Sequence, residues 1–231
     1  MRALVLSDVH YRDPSGDAEQ AVVALLDAAQ MDELWLLGDI FDVWWGFRRV
    51  VPVAAVPLCA ALLRVRDRGV RVRALAGNRD FSWGPFFTRE LAVAPLPSAV
   101  FAVDGRRVRL GHGDEADRTL GYRLARRCLR GRAVAVGLWA LGPDRALGVL
   151  GRLADGSRAA SAPASPLVAA QREWAAAALR DGADVVMMGH SHHRAHERSA
   201  AGEVVWLGDW PHHRSGAWWE DGAVRPFSGG R

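Results

Sequence analysis

The sequence predicts an α/β fold of mixed sheets carrying a helical insertion, and three observations lead there. Short apolar runs alternate with stretches of helical period through the first hundred residues. Two alternating runs then meet at Asp104-Gly105, the dipeptide of a tight hairpin. The segment 118–158 holds nine arginines against two acids, a local charge of +7, with apolar residues interspersed. At 231 residues, half of them hydrophobic, one domain over 1–231 is expected, and disorder and fibrous repeats are excluded.

RALVLSD from Arg2 reads as a buried strand, the stretch from Asp17 to Gln30 as a helix with Ala, Val and Leu on one face, and ELWLLGD from Glu33 as a second strand. A helix over 52–68, the strand VRVRALAG and a short helical piece near Phe86 continue the βαβ pattern, which implies a parallel sheet. FAVDGRRVRLGHGD, from Phe101, is the hairpin. The basic segment reads as two or three helices broken at Gly131 and at Gly142-Pro143, followed by a Gly, Ala, Ser and Pro-rich stretch over 154–166. A helix over 167–180, the strand DVVMMGH, and the strands EVVWLGDW and AWWEDGAVRPF close the chain, the last run turning at Asp221-Gly222.

No apolar run approaches the ~20 residues that span a bilayer, and Met1 leads straight into a strand, so a cytoplasmic protein is expected. Cys59 and Cys128 lack CxxC partners, which argues against a disulfide framework or thiolate metal site and suggests that both are buried or inert. All thirty basic residues are arginine. Outside 118–158 the balance is 21 arginines against 24 acids, so the net charge of +4 arises in that one segment. Such a segment suits an anionic partner or a solvated helix face.

Five polar clusters stand where strands end: SDVH at 7–10, GDIFD at 38–42, GNRD at 77–80, GHGD at 111–114 and GHSHH at 189–193. In open α/β sheets the carboxyl ends of strands line the ligand crevice, so clusters distant in sequence can converge. Carboxylate, imidazole and amide oxygen suit Mn²⁺, Mg²⁺, Fe²⁺ or Zn²⁺. Each cluster has an ordinary reading when taken singly: Asp8 as a helix cap, Asn78 in a turn, His112 in the core. Five in succession after strands are hard to explain by independent structural needs. His193, His196, His212 and His213 stay unassigned.

At these residues the chain resembles the calcineurin-like metallophosphoesterase family, whose motifs DxH, GDxxD, GN(H/R)D, GHx(D) and GHxH occur in this order. The resemblance implies a double β-sandwich flanked by helices, with 118–158 as a helical lid inserted in the single domain. It also implies two metal ions, one on Asp8, His10 and His192, the other on Asn78, His112 and His190, with Asp39 bridging. Hydrolysis of a phosphoester or phosphoanhydride is the implied reaction.

Many members carry histidine where this chain has Arg79. Arginine stays charged and grips phosphate with a planar fork, so it stabilises charge without supplying a proton. Arg79 and Asn78 are thus the candidate catalytic residues, and a phosphate leaving group, which departs as a stable anion, favours pyrophosphate cleavage. The GNRD variant, NRDF at 78–81, HGD followed by Gly121-Tyr122, and VVWLGDW resemble one branch of the family, the UDP-2,3-diacylglucosamine diphosphatases of lipid A biosynthesis. That resemblance implies two Mn²⁺ ions, a lipid-linked nucleotide sugar as substrate, and UMP and 2,3-diacylglucosamine 1-phosphate as products. Substrate contacts would come from Asn78, Arg79, Asp117, Tyr122, Ser157, Ser161 and His190. The branch places a lysine shortly after the serine stretch, whereas this chain has no lysine and Arg158 stands nearby.

The apolar and basic faces of 118–158 suit acyl chains and the cytoplasmic face of an inner membrane, where a peripheral protein would meet a lipid substrate. No nucleic-acid partner is expected, because that segment offers only Tyr122 and Trp139 for base stacking. A general nucleotide pyrophosphatase or phosphodiesterase of the same family remains an alternative, as does a non-catalytic scaffold of this fold.

Overall fold

A computed structural model describes residues 1–95, 100–129, 131–159 and 165–229. Strand β1 (Arg2–Leu6) lies parallel to β2 (Glu33–Leu36), with helix α1 (Asp17–Ala28) crossing between them. A second crossover, α2 (Val56–Asp67), leads to β4 (Arg71–Ala74), and β6 (Ala94–Pro95) adds to that edge. On the other side β12 (Ser215–Glu220) joins β1 antiparallel and carries β13 (Ala223–Ser228), completing the sheet β13-β12-β1-β2-β4-β6. The second sheet has the order β10-β11-β9-β8-β7, from β7 (Phe101–Val103), β8 (Arg106–Leu110), β9 (Val185–Met188), β10 (Arg194–Ser199) and β11 (Gly202–Leu207). The short β3 (Trp44–Trp45) and β5 (Asp80–Ser82) form a separate pair.

Period-two alternation decides which layer each residue enters. Ala3, Val5 and Trp35 face the second sheet and pack with Val108, Leu110, Val185, Met187, Val205 and Leu207. Leu4, Leu6, Leu34 and Leu36 face outward onto Val22 and Leu26 of α1 and Leu58 and Leu62 of α2. The second sheet covers its outer face in the same way, as Val186, Met188 and Trp206 meet Ala175 and Ala178 of α6 (Ser165–Arg180). The result is helix, sheet, sheet, helix: the double β-sandwich flanked by helices. Each fully buried Val or Leu contributes about 1.5–3 kcal/mol, and because both faces of β1, β2 and β9 are covered, these strands read as continuous apolar runs.

Between β8 and α6 stand α3 (Leu120–Leu129), α4 (Arg132–Leu141) and α5 (Pro143–Ala159), the last two separated at Gly142, whose φ is 77°. Leu138, Ala146 and Leu150 pack on Trp45 and Phe47, which joins these helices to the loop after β2. Other apolar side chains face outward, with Leu120 at 71 % and Val136 at 68 % exposure.

Several expectations are corrected. Residues 154–159, read as loop, continue α5, because a Gly weakens a helix by roughly 1 kcal/mol and a Ser by less, without breaking it. Strand β10 was not anticipated, since RAHERS is a polar edge strand without apolar alternation. Cys59 is in the core, whereas Cys128 is exposed on α3. Among the described residues no helix is long and apolar enough to cross a membrane.

Candidate metal centre

The five clusters follow the carboxyl ends of β1, β2, β4, β8 and β9, five of the strands that pair in parallel within the two sheets. Since these ends lie side by side, the loops meet although 182 residues separate His10 from His192. Five of the seven predicted ligands have left-handed backbone: Asp8 (φ 51°), His10 (47°), Asp39 (53°), His190 (67°) and His192 (55°). Such strain costs on the order of 1–3 kcal/mol per residue and collects at functional sites. Glycines make the packing of these loops possible. A β-carbon on Gly77 would overlap Asp39 Oδ1, and one on Gly189 would overlap Asp8 Oδ2.

Asp8, His10 and His192 converge as one group, and Asp8, Asp39 and His112 as another. His10 Nε2 and His192 Nε2 lie 3.1 Å apart, and Asp8 Oδ1 lies 3.7 Å from the first and 3.5 Å from the second. The other oxygen, Asp8 Oδ2, accepts from Ser7 Oγ (2.6 Å) and the His190 N–H (2.9 Å), leaving Oδ1 buried without a hydrogen-bond partner. Around the second group, His112 Nδ1 donates to the Leu37 carbonyl at 2.7 Å, which leaves Nε2 as the nitrogen that can ligate a metal once its proton is lost. It faces Asn78 Oδ1 at 3.1 Å and Asp39 Oδ1 at 3.6 Å, and the His190 ring centroid is 5.0 Å from that of His112. Lone pairs of carboxylate, imidazole and amide, aimed at common points and including an orphaned buried oxygen, fit divalent cations.

Burial pushes the Asp39 carboxyl up to about 7, opposed by His112. For His112 burial favours the neutral ring, but Asp39 and Asp8 outweigh it and raise the imidazole to about 9. His190 is held down to about 4, by burial and then by His112. Burial and His192 also keep His10 well below its ordinary value. Without cations, protons occupy the second group, and metal binding there must displace them.

Arg79 is nearly buried. Its backbone N–H donates to Asp39 Oδ1 (2.8 Å), Nε approaches Asp39 Oδ2 at 3.8 Å, and Nη1 meets Asp42 Oδ1 at 3.1 Å. The Tyr122 hydroxyl donates to Asp114 Oδ2 (2.8 Å), and its ring stands 5.6 Å from His190. Arg126 pairs with the same Asp114 oxygen at 3.0 Å, so α3 is tied to the GHGD loop by two side chains. Burial opposes the Asp114 charge, but His112, Arg126 and Tyr122 hold its carboxyl below the ordinary range. Asp117 accepts from the Thr119 N–H and hydroxyl, closing a local turn ahead of α3. Ser157 lies on α5 with its side chain outside the described structure, and Ser161 lies outside the described residues.

Three acids that support the ligands were not singled out by type or spacing. Asp80 accepts the backbone N–H groups of Asp39 (2.7 Å) and Gly77 (3.1 Å), joining two motifs. Asp114 anchors α3. Asp209, 1 % exposed, meets His192 Nδ1 at 3.7 Å and hydrogen-bonds His212 and His213. Asp80 and Asp114 close their motifs, and that position was their signal. Of the remaining histidines, His196 pairs with Glu203 and the His193 ring packs edge-on to Trp206.

A sequence model of calcineurin-like phosphoesterases matches residues 1–194. The chain is 31 % identical over 221 residues to a UDP-2,3-diacylglucosamine hydrolase of Pseudomonas putida strain W619, covering 90 % of each. It is 34 % identical over 142 residues to the hydrolase of that name from P. putida strain KT2440, covering 60 % of this chain and 58 % of that one. The Azotobacter vinelandii strain DJ hydrolase is 36 % identical over 146 residues, with 61 % and 58 % covered. Among solved structures, a novel archaeal phosphodiesterase superimposes with a TM-score of 0.50 at 13 % identity, covering 99 % of both chains, a likeness of fold alone.

Proposed function

The chain belongs to the calcineurin-like phosphoesterase family and is a metal-dependent hydrolase, and on that premise we propose that it cleaves the pyrophosphate bond of UDP-2,3-diacylglucosamine, releasing UMP and 2,3-diacylglucosamine 1-phosphate. The observation that carries this reading is Arg79, whose guanidinium lies against Asp39 and which occupies the motif position where many family members carry histidine. When bound, two divalent ions supply Lewis acidity toward a phosphoryl oxygen and make water more acidic. Asp8, His10 and His192 would hold one, and Asn78, His112 and His190 the other, with Asp39 shared; Mn²⁺ is the ion we propose. The Arg79 fork neutralises charge building on the phosphoryl oxygens, while Asp42 fixes one end of the guanidinium. No proton donor is required on the leaving side, because a sugar phosphate departs as a stable anion.

The insertion supports the lipid part of the reading. Leu120, Leu124, Val136, Trp139, Val149 and Leu153 are exposed on helices that also carry most of the surplus positive charge. We propose that these helices meet acyl chains and an anionic membrane surface, placing the protein peripherally at the cytoplasmic face of the inner membrane. The deciding assay is Mn²⁺-dependent UMP release from UDP-2,3-diacylglucosamine, with UDP-N-acetylglucosamine and bis-p-nitrophenyl phosphate alongside. Release confined to the acylated substrate is expected. Turnover of only the other two would replace this reading with a general nucleotide pyrophosphatase or phosphodiesterase.

A further inference from the structure

Behind the metal centre, on the side away from solvent, helix α6 places Gln171 at 0 % exposure between two of the ligand loops. Its side-chain nitrogen donates to the Gly113 carbonyl at 3.2 Å and to the Gly189 carbonyl at 3.0 Å, and its oxygen accepts from Trp206 Nε1 at 3.0 Å. The chemistry of the partners dictates this orientation, since two carbonyls can only accept and an indole N–H can only donate. Gly113 follows His112, and Gly189 precedes His190. A single amide therefore grips the backbone beside both imidazoles assigned to the second ion.

Sheet pairing does only part of this work. The ladder between β8 and β9 ends at Leu110 and Met187, and only the Gly111 N–H to Met187 carbonyl and the Gly189 N–H to His112 carbonyl bonds extend it. Past that point the carbonyls of Gly113 and Gly189 lie among buried residues, each taking one backbone donor, the Ala116 N–H at 3.4 Å and the Ser191 N–H at 2.8 Å, and the Gln171 amide is the second donor to each. Gly113, with φ of 102°, also lets the chain come so near that a β-carbon would strike the Gln171 amide.

We propose that Gln171 is a positioning residue for the second metal, a clamp that sets the separation and tilt of His112 and His190 directly and reaches the Asp8, His10 and His192 group only at second hand, through the His190 N–H that Asp8 Oδ2 accepts. This rests on the two-ion reading of the centre. Outer-shell partners of this kind typically change metal affinity by about 10- to 100-fold.

The test is titration of the metal-free protein with Co²⁺, following the visible absorption of the bound ion, for the wild type, Gln171→Met and Gln171→Glu, with His112→Ala and His10→Ala marking the spectrum of each ion. Gln171→Met removes both donors at nearly constant volume. Gln171→Glu keeps the acceptor for Trp206 and sets a carboxylate against two carbonyls. The expected result is two ions in the wild type, and in both variants a selective weakening of one ion by about 10- to 100-fold, leaving the spectrum seen in His112→Ala. Wild-type affinity for both ions, or equal weakening of both, would overturn the clamp whatever happens to the melting temperature. If Gln171→Met does not fold, Gln171→Glu decides. Failure of both to fold would assign Gln171 to the core and overturn the proposal. A wild type that takes up fewer than two ions would defeat the two-ion reading itself, an outcome distinct from all of these.

Discussion

Asp39 is a residue on which several of the centre's contacts converge: the Arg79 N–H, His112 and Asp80 all address it or its backbone. Replacing it with Asn keeps the shape and removes the charge, and turnover should fall by at least roughly 10²-fold, the upper end of what even an outer-shell partner costs. Near-normal turnover would contradict the shared-ligand role. Arg79→Lys keeps a charge but loses the planar fork, so kcat should drop about 10²-fold while the number of bound metals stays unchanged. Metal analysis beside steady-state kinetics separates the two effects. The pH dependence follows from protons that the metal-free centre holds. His112 has a folded pKa raised from 6.5 to about 9, so its stabilisation is complete below pH 6.5 and is lost as pH rises through 9. Asp39, raised from 3.8 to about 7, likewise binds its proton more tightly in the folded state, so that contribution too declines with rising pH. Metal must displace those protons, hence apparent affinity should climb between pH 6 and 9 with proton release. Calorimetry in two buffers of different ionisation enthalpy measures that release, and a flat affinity profile would remove His112 from the ligand set.

At the scale of elements, the loops after the parallel strands were legible because each motif is a short polar punctuation of an apolar run. What could not be read was why glycine precedes Asn78 and His190: Gly77 and Gly189 leave room for a carboxylate contributed by a different motif. Gly189→Ala should therefore keep the fold by circular dichroism yet weaken metal uptake by roughly 10-fold or more, because the new methyl displaces Asp8. Gly148→Ala is the contrasting substitution. It lies on the exposed side of α5 with open space around it, so it should stabilise the protein by about 0.5–1 kcal/mol. The melting temperature should rise by about 2 °C. The helices between β8 and α6 were visible as a change in charge texture, but their attachment was not. Their attachment depends on Tyr122 and Arg126 reaching Asp114, and on Leu138 and Leu150 reaching Trp45 and Phe47, pairings with no local signature.

The whole molecule joins a buried, proton-holding centre to a basic and apolar helical face. If that face meets an anionic bilayer, the protein should float with vesicles containing anionic lipid at low salt and detach progressively as ionic strength rises. Its absence from the floating fraction at low salt would count against the membrane proposal. The sequence by itself determined the alternation of strands and helices, because apolar runs and helical periods are written in near neighbours, whereas the double sandwich was implied by the resemblance its motifs carry. It also determined the ligand types, since five motifs carry their chemistry in adjacent residues. The tertiary structure alone decided the rest. The supporting acids Asp80, Asp114 and Asp209, the left-handed backbone at Asp8 and His192, and the edge strand β10 arise from contacts between segments far apart in the chain. Such contacts act through space, and one-dimensional periodicity records only what a residue does to its near neighbours.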